Sequence, residues 1–545
     1  MLRRFAAAAL AAALSTACTH LGAGQRTAPR DTVRIGLYEE PDSLNPIISS
    51  MAFTTDVDQL IYDGLIRIDD HAHAVPDLAA ALPTRENGGI SRDGLTITYR
   101  LVRNAVWSDG VPLTARDVVF TWRQIMNPAN NTPTRAGYDK IAAIDAPDPY
   151  TVRIRLKSPY PPILFLFSSQ NQGAIVPEHV LRGNANINRT PFNTGPIGSG
   201  PYVLRRWTHG SEMRFDANPR YFRGVPKIAH VIVKFLSDQN TLVAQLQSHE
   251  IDFDYDVPPS QTPAVRALPG IALATTSSLD WEHINFNTQR PPLDDARVRR
   301  ALVTATDEAA IFAKIYHGLG RAAPVHFNPD FGWGDTALRP YPYDLRAAGA
   351  LLDAAGWKLD GDGVRRRGGV PLAFAISTVA GVKQREAIEV LLQSGWRTLG
   401  AQVTVKNFPA ATLFAPRAAG GVLYGGKTDV AIFTWDNVTP DPDDQSYIAP
   451  DRLPPEGENT SFFVDPEIGR LQAAGLATYD VAKRRAPYRK IADILYREVP
   501  EYVLDWLPET DAYYPELHGV KPAPVGSDLW NIADWSFSDG TVAGG

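Results

Sequence analysis

Two hydrophobic rhythms take turns along this chain from residue 31 onward, and their alternation limits the fold more than any other property. Thr32-Val-Arg-Ile-Gly-Leu-Tyr38, Gly94-Leu-Thr-Ile-Thr-Tyr-Arg-Leu101 and Tyr150-Thr-Val-Arg-Ile-Arg-Leu156 repeat with period two, which puts alternate side chains on one face of a strand. Between such runs, apolar residues return every three or four positions. Val118, Trp122 and Ile125 follow Thr114-Ala-Arg-Asp117, a hydroxyl N-cap with an acid three residues on, and predict a helix over about 115–127. Asn240 is placed to cap a helix carrying Leu242 and Leu246, with a strand-like run at 251–255 after it. Residues 294–317 read as two helices ending before Gly318, and 345–355 as another ended by Gly356. Ile388, Leu391, Leu392, Trp396 and Leu399 form an amphipathic stripe closed by Gly400, directly ahead of a strand at 402–406. Tyr488, Ile491, Leu495 and Val499 mark a last long helix, and 501–506 a strand. Helix and strand in continual exchange predict an α/β class. A chain of 545 residues exceeds what one hydrophobic core supports, so two or three domains are expected.

The N-terminus has a different purpose. Arg3-Arg4 precede an apolar run over 5–14, and Ser15-Thr-Ala-Cys18 ends it. A basic start, a short apolar stretch and small residues describe an export signal over 1–18, too short to span a bilayer as a helix. Cys18, the one cysteine, sits where a bacterial lipoprotein carries its lipid. Ser15 stands three residues before it, where leucine is usual, and Leu14 is one earlier. Two processing routes are therefore open: lipidation of Cys18, or ordinary cleavage after Ala17. Both export the protein, to the periplasm or the cell surface. A single cysteine excludes an intramolecular disulfide. Residues 19–30 read as a flexible tether. With 54 basic residues against 60 acids the net charge is −6, which argues against a nucleic-acid binder.

The stretch after 430 gathers chemistry. Val430-Ala-Ile-Phe-Thr434 is strand-like and ends in Trp435; Asp436, Asp441, Asp443 and Asp444 follow, with Pro440 and Pro442 holding the segment extended or turned. Carboxylates beside an indole at a strand end suit a metal, proton transfer or a cationic ligand. Equally, aspartates turn a chain and cap the next segment. Asp441-Pro-Asp443 opens like a calcium loop, but Ser446 and Arg452 occupy the positions that need glycine and a bidentate glutamate. Gly421-Val-Leu-Tyr-Gly-Gly426-Lys427-Thr428 has phosphate-loop spacing, yet a β-like run follows where a helix N-terminus is required. Ser199 lacks the glycine two residues earlier that a nucleophile elbow needs. No thiolate zinc site is possible with one cysteine, and no carboxylate pair stands out as catalytic. The chain therefore offers no catalytic residue, metal or cofactor to assign.

Several segments, in order, resemble the extracytoplasmic substrate-binding proteins of peptide-type ABC importers, the dipeptide- and oligopeptide-binding family (bacterial extracellular solute-binding family 5). The most specific is DGLTITYRLVRNAVWSDGVPLTARDVVFTW (93–122). EEPDSLNP (39–46), IYDGLIRID (61–69), GSGPYVLRRW (198–207), NPRYFRGVP (218–226), HINFNTQRPPLDDARVRRAL (283–302) and YDLRAAGALLDAAGW (343–357) complete the series. The resemblance implies a two-lobed periplasmic-binding-protein-like fold of class II type with an additional inserted domain. It places domain I at 31–75, 198–287 and 505–545, an inserted domain II at 76–197, and domain III at 288–504. The hinge would be two crossing segments, near 283–288 and 501–508, and hinged lobes close around a ligand.

The resemblance also implies a binding site. The loop after Trp435 would reach into the cleft, with Trp435 stacking on the solute. Peptide binders carry an aspartate three residues after this tryptophan to pair with the α-ammonium; here Val438 stands there, leaving Asp436, Asn437 and Asp441 as the neighbouring polar candidates. Glu40 and Ser43 match pocket-lining positions, and Trp281 offers a second aromatic wall on spacing. Acids around an aromatic in a narrowing cleft favour a cationic or hydroxyl-rich ligand. The expected function is a monomeric, non-catalytic receptor, held to a membrane through Cys18, that captures a peptide or similar small polar solute and delivers it to an ABC permease. The alternatives are the same fold holding an opine, oligosaccharide, haem or nickel complex, and an exported hydrolase.

Overall fold

One sheet runs from one lobe into the other. The computed structural model describes residues 30–49, 51–171, 173–334, 337–435 and 439–537; Cys18 and the expected signal and tether up to residue 29 lie outside them. In chain order the strands that matter are β1 (Thr32–Leu37), β2 (Thr96–Arg100), β3 (Ile141–Asp148), β4 (Thr151–Leu156), β5 (Tyr202–Thr208), β6 (Glu212–Ala217), β7 (His230–Phe235), β8 (Phe253–Asp254), β9 (Ala272–Phe286), β10 (Ala373–Ser377), β11 (Gln402–Val405), β12 (Val430–Trp435) and β13 (Glu501–Tyr513). Among the described residues, ten of these form one sheet in the order β11-β10-β12-β9-β13-β8-β1-β7-β6-β5.

Two long strands carry that sheet between lobes. β9 and β13 pair antiparallel from Ala272↔Tyr513 to Asn285↔Glu501, and their register breaks between Ser277 and Trp281. Beyond the break β9 takes β12 on its other edge, from Trp281↔Trp435 to Phe286↔Val430. Before it, β13 takes β8, through Phe253↔Tyr513 and Asp254↔Ala512. Each end has its own core. Ile284, Phe286, Leu302, Leu392, Trp396, Ile432 and Tyr502 form one; Val33, Ile35, Leu60, Tyr202, Val231, Phe253 and Trp535 belong to the other. The fold is therefore two-lobed, and the break lies upstream of the 283–288 expected for the first crossing, because Ile284 and Phe286 are already committed to the second core.

A second sheet, β2-β4-β3, stands apart in strand order. Its Ile97, Val152 and Ile154, with Trp107 and Val118, join the same apolar cluster as β1. Residues 76–197 thus ride on the first lobe. Their helix, Ala115–Met126, begins as predicted, with Thr114 N donating to Asp117 Oδ2 at 2.8 Å.

Strand direction fixes where a ligand can sit. β1 is parallel to β7 and β8, and β10 is parallel to β11 and β12. β8 opposes β13 and β12 opposes β9, so both parallel sets run toward the crossing. Ligands in open α/β sheets bind outside the carboxyl ends of parallel strands. Here both lobes aim those ends at one place.

The remaining elements mostly follow the periodicity. Helix Lys383–Thr398 ends ahead of Gly400 at φ +89°, and Leu345–Ala354 ahead of Gly356 at φ +85°. Two expectations change. Asp238 caps the helix Gln239–Gln247 in place of Asn240, its carboxylate accepting from Thr241 N. The strand expected at 251–255 is limited to Phe253–Asp254.

Candidate functional site

The second lobe contributes an aromatic wall at the end of β12. Trp435 is partly exposed and stacks on Tyr447, ring centroids 5.6 Å apart, with His283 parallel to it at 6.3 Å. Trp281, its cross-strand partner, is buried and stacks on His326 at 5.3 Å. Trp435 is thus the face of the wall and Trp281 its backing.

A charged relay lies beneath. His326 Nδ1 meets Glu501 Oε1 at 2.6 Å, and its Nε2 lies 3.5 Å from Asp444 Oδ2. Burial works to lower the pKa of His326, but Glu501 and Asp444 outweigh it and push it up to about 9. For His283 the same Glu501 does not outweigh burial. Burial pushes it down to about 4, and neither ring nitrogen has a hydrogen-bond partner among the described residues.

The acidic loop turns inward. Asp441 Oδ2 and Oδ1 accept from Arg484 Nη1 and Nη2 at 2.6 and 2.7 Å, a bidentate pair with both side chains buried. Asp443 N donates to Asp441 Oδ1 at 3.1 Å, and Asp444 Oδ1 accepts from Gln472 Nε2 at 2.8 Å. Burial, then Asp441 and Asp444, push Asp443 up to about 7. The Asp441 carboxylate is thus consumed by the fold, and Asp444 is engaged through Oδ1. Asp436, Asn437 and Val438 lie outside the described residues.

Glu40 and Ser43 stand on the loop after β1. Glu40 Oε1 accepts from Trp207 Nε1 (2.7 Å) and His209 Nδ1 (2.9 Å), and Oε2 from Gly210 N (2.8 Å), so it anchors the β5–β6 turn. Ser43 Oγ accepts from Asn45 N at 3.1 Å. Both shape the loop.

The first lobe also holds a group of acids that sequence reading missed. Tyr38 and Tyr255, at the ends of β1 and β8, donate to Asp256 Oδ2 (3.2 Å) and Asp56 Oδ1 (2.8 Å). Asp511 Oδ1 accepts from Asp256 N at 3.1 Å, and Asp528 Oδ1 from Ala523 N at 2.6 Å. One carboxylate oxygen of each of Asp56, Asp511 and Asp528 has no hydrogen-bond partner among the described residues. Burial pushes Asp56 up to about 8 and Asp528 to about 6. A faint signal existed in Glu509 and Asp511, two apart on one face of β13.

At the crossing a cavity of about 220 Å³ is lined by Thr275, Ser277, Arg321, Asp330, Trp506 and Pro508, among others. Asp505 Oδ1 accepts from Arg321 N at 2.6 Å, and the Arg321 guanidinium lies 5.1 Å over the Trp506 ring. Among the described residues, Asp69, Asp70 and His71 have ligand atoms close enough for a metal. They sit on a partly exposed hairpin where Asp69 Oδ1 already accepts from His71 N and His73 N.

Comparison with known proteins agrees with this geometry. The family model described as bacterial extracellular solute-binding proteins, family 5 Middle, matches residues 73–451. Protein XP55 of Streptomyces lividans is 32% identical over 499 residues, covering 91% of this chain and 87% of that protein. The structure of NikZ from Campylobacter jejuni in complex with Ni(L-His) superposes with a TM-score of 0.77 at 28% identity, covering 93% of this chain and all of that one. The oligopeptide-binding protein AppA from Bacillus subtilis, in complex with a nonapeptide, gives 0.75 at 25% identity, covering 94% of this chain and 100% of AppA.

Proposed function

The chain belongs to the bacterial extracellular solute-binding proteins of family 5, and from that membership we propose a receptor that closes its lobes on a small polar solute, a peptide or a similar cationic molecule, and hands it to an ABC permease. The observation that carries this reading is the convergence of both lobes' parallel strands on a two-strand crossing. In this reading domain I comprises 31–75, 198–287 and 505–545, domain II 76–197 and domain III 288–504. The segregated cores support a division between I and III, with the passage into the second lobe upstream of Ile284 and Phe286, which pack in its core. Trp435 is the stacking wall, with Asp436 and Asn437 beside it as polar contacts; Trp281 backs the wall, and Glu40 and Ser43 hold the facing loop in shape. Asp441 acts through Arg484 to fix the loop. The chain is exported, anchored through Cys18, and works as a monomer.

A second reading, a metal–amino-acid complex as the solute, is favoured by Val438 in place of the ammonium-pairing aspartate and by the likeness to NikZ with Ni(L-His). One experiment separates these readings. Purified protein is denatured and the released small molecules are identified by mass spectrometry. The protein is then titrated with di- and tripeptides and with Ni(L-His) by calorimetry. A solute retained one to one and recovered intact supports a receptor. Progressive consumption of the solute points to the hydrolase and overturns the proposal.

A further inference from the structure

Tyr479 follows the helix Pro466–Leu476 in the second lobe, yet its ring reaches the apolar cluster of the first lobe. Together with Leu476 and Phe331 it lies against the apolar cluster of the first lobe and its inserted segment. Its hydroxyl donates to Gly94 O at 3.2 Å and accepts from Tyr160 N at 3.4 Å, both on the inserted segment. Gly94 sits at φ +73°, where side chains are strained, and a Cβ there would come within 3.1 Å of Tyr479 Cε2. Glycine at that turn therefore does two jobs. It permits the backbone conformation and leaves room for a ring arriving from the other lobe.

The acidic loop borders the same contact. Burial, then the charges of Asp443 and Asp441, push the Tyr160 hydroxyl up, so these aspartates lie beside the inserted segment. Arg484, clamped to Asp441, and Arg85 of the inserted segment both act electrostatically on Tyr479. Residues 439–444 therefore lie along a chain path between the Trp435 wall and the point where the second lobe meets residues 76–197.

We propose that the inserted segment 76–197 is the catch of the closed state, with the Tyr479 side chain seated between Gly94 and Tyr160 as the part that engages it. This gives the inserted segment a function, one that rests on the receptor reading. The Tyr479 ring with its two long hydrogen bonds, flanked by Leu476 and Phe331, holds well enough to bias closure and weakly enough to release, as interfaces between domains of one chain commonly do.

The test uses the full chain and needs no ligand. In a Cys18→Ser background, dyes are placed at Arg92→Cys and Lys490→Cys, both exposed, and the interlobe distance distribution is read by single-molecule energy transfer. Tyr479→Ala is expected to lower the ratio of short-distance to long-distance molecules about 10-fold. Tyr479→Phe, which keeps the ring and loses both hydrogen bonds, is expected to lie between it and the parent. Circular dichroism and the urea midpoint, unchanged, show that the second lobe is still folded. A Tyr479→Ala distribution identical to the parent's overturns the catch. If distances shift while no solute is ever retained, the catch stands and the receptor reading fails.

Discussion

Replacing Asp441 by alanine separates two roles that the sequence left open for it, ligand contact and internal support. The Asp441 and Arg484 side chains are 1% and 3% exposed, so water screens their attraction little. Arg484 cannot swing out to solvent. Its Nε donates to Gly475 O at 3.0 Å, and its guanidinium lies 5.2 Å from the Trp333 ring and 5.7 Å from the Tyr488 ring. Removing the carboxylate leaves a buried, unpaired cation, which costs about 3–5 kcal/mol. Replacing both partners by apolar residues, Asp441→Leu with Arg484→Met, avoids that penalty, and most of the stability is expected to return. Urea unfolding followed by tryptophan fluorescence measures both. If Asp441→Ala unfolds within about 1 kcal/mol of the parent while solute affinity drops sharply, Asp441 faces the ligand and its role as an internal support is refuted.

Two further outcomes follow from the hinge and the relay. Gly320 lies at φ +83°, and a Cβ there would fall 2.0 Å from Asp505 Oδ2, so Gly320→Ala is expected to destabilise by about 2 kcal/mol or more; a thermal midpoint equal to the parent's would contradict it. The pKa of His326 is raised from an ordinary 6.5 to about 9, so the stability it supplies is full below pH 6.5 and is lost as pH rises through 9, about 3 kcal/mol in all. Urea midpoints from pH 6 to 10 should show that decline, and His326→Gln should flatten it; a parallel decline in both proteins removes His326 as the cause.

Local rules made much of the fold legible. The Thr114–Asp117 box and the terminators Gly356 and Gly400 lie where propensity alone puts them. Elements whose cause is distant stayed hidden. β9 is 15 residues long, but its centre, Ser277-Ser278, is polar and its register breaks there, so the strand has no single period to detect. Glu40 finds its partners 167 to 170 residues away, and Asp441 finds Arg484 43 residues on. Nothing near Asp441 in sequence says which face it will show. The acids of the first lobe come from four separate segments, the helix Ala52–Ile61, the end of β8, β13 and the stretch around Asp528, and become neighbours only in the assembled lobe. The resemblance supplied the two lobes, whereas the burial of Asp441 required coordinates.

The placement of β13 bears on when this chain can acquire its shape. Residues 501–513 slot between β9 and β8 in the middle of the sheet, yet a ribosome makes them long after both of those neighbours. Until they emerge, β8 and the earlier half of β9 have an empty lane between them, and neither hydrophobic core can be sealed. A nascent molecule that stays open until residues 501–513 have been made is one that can still be threaded through a narrow export pore.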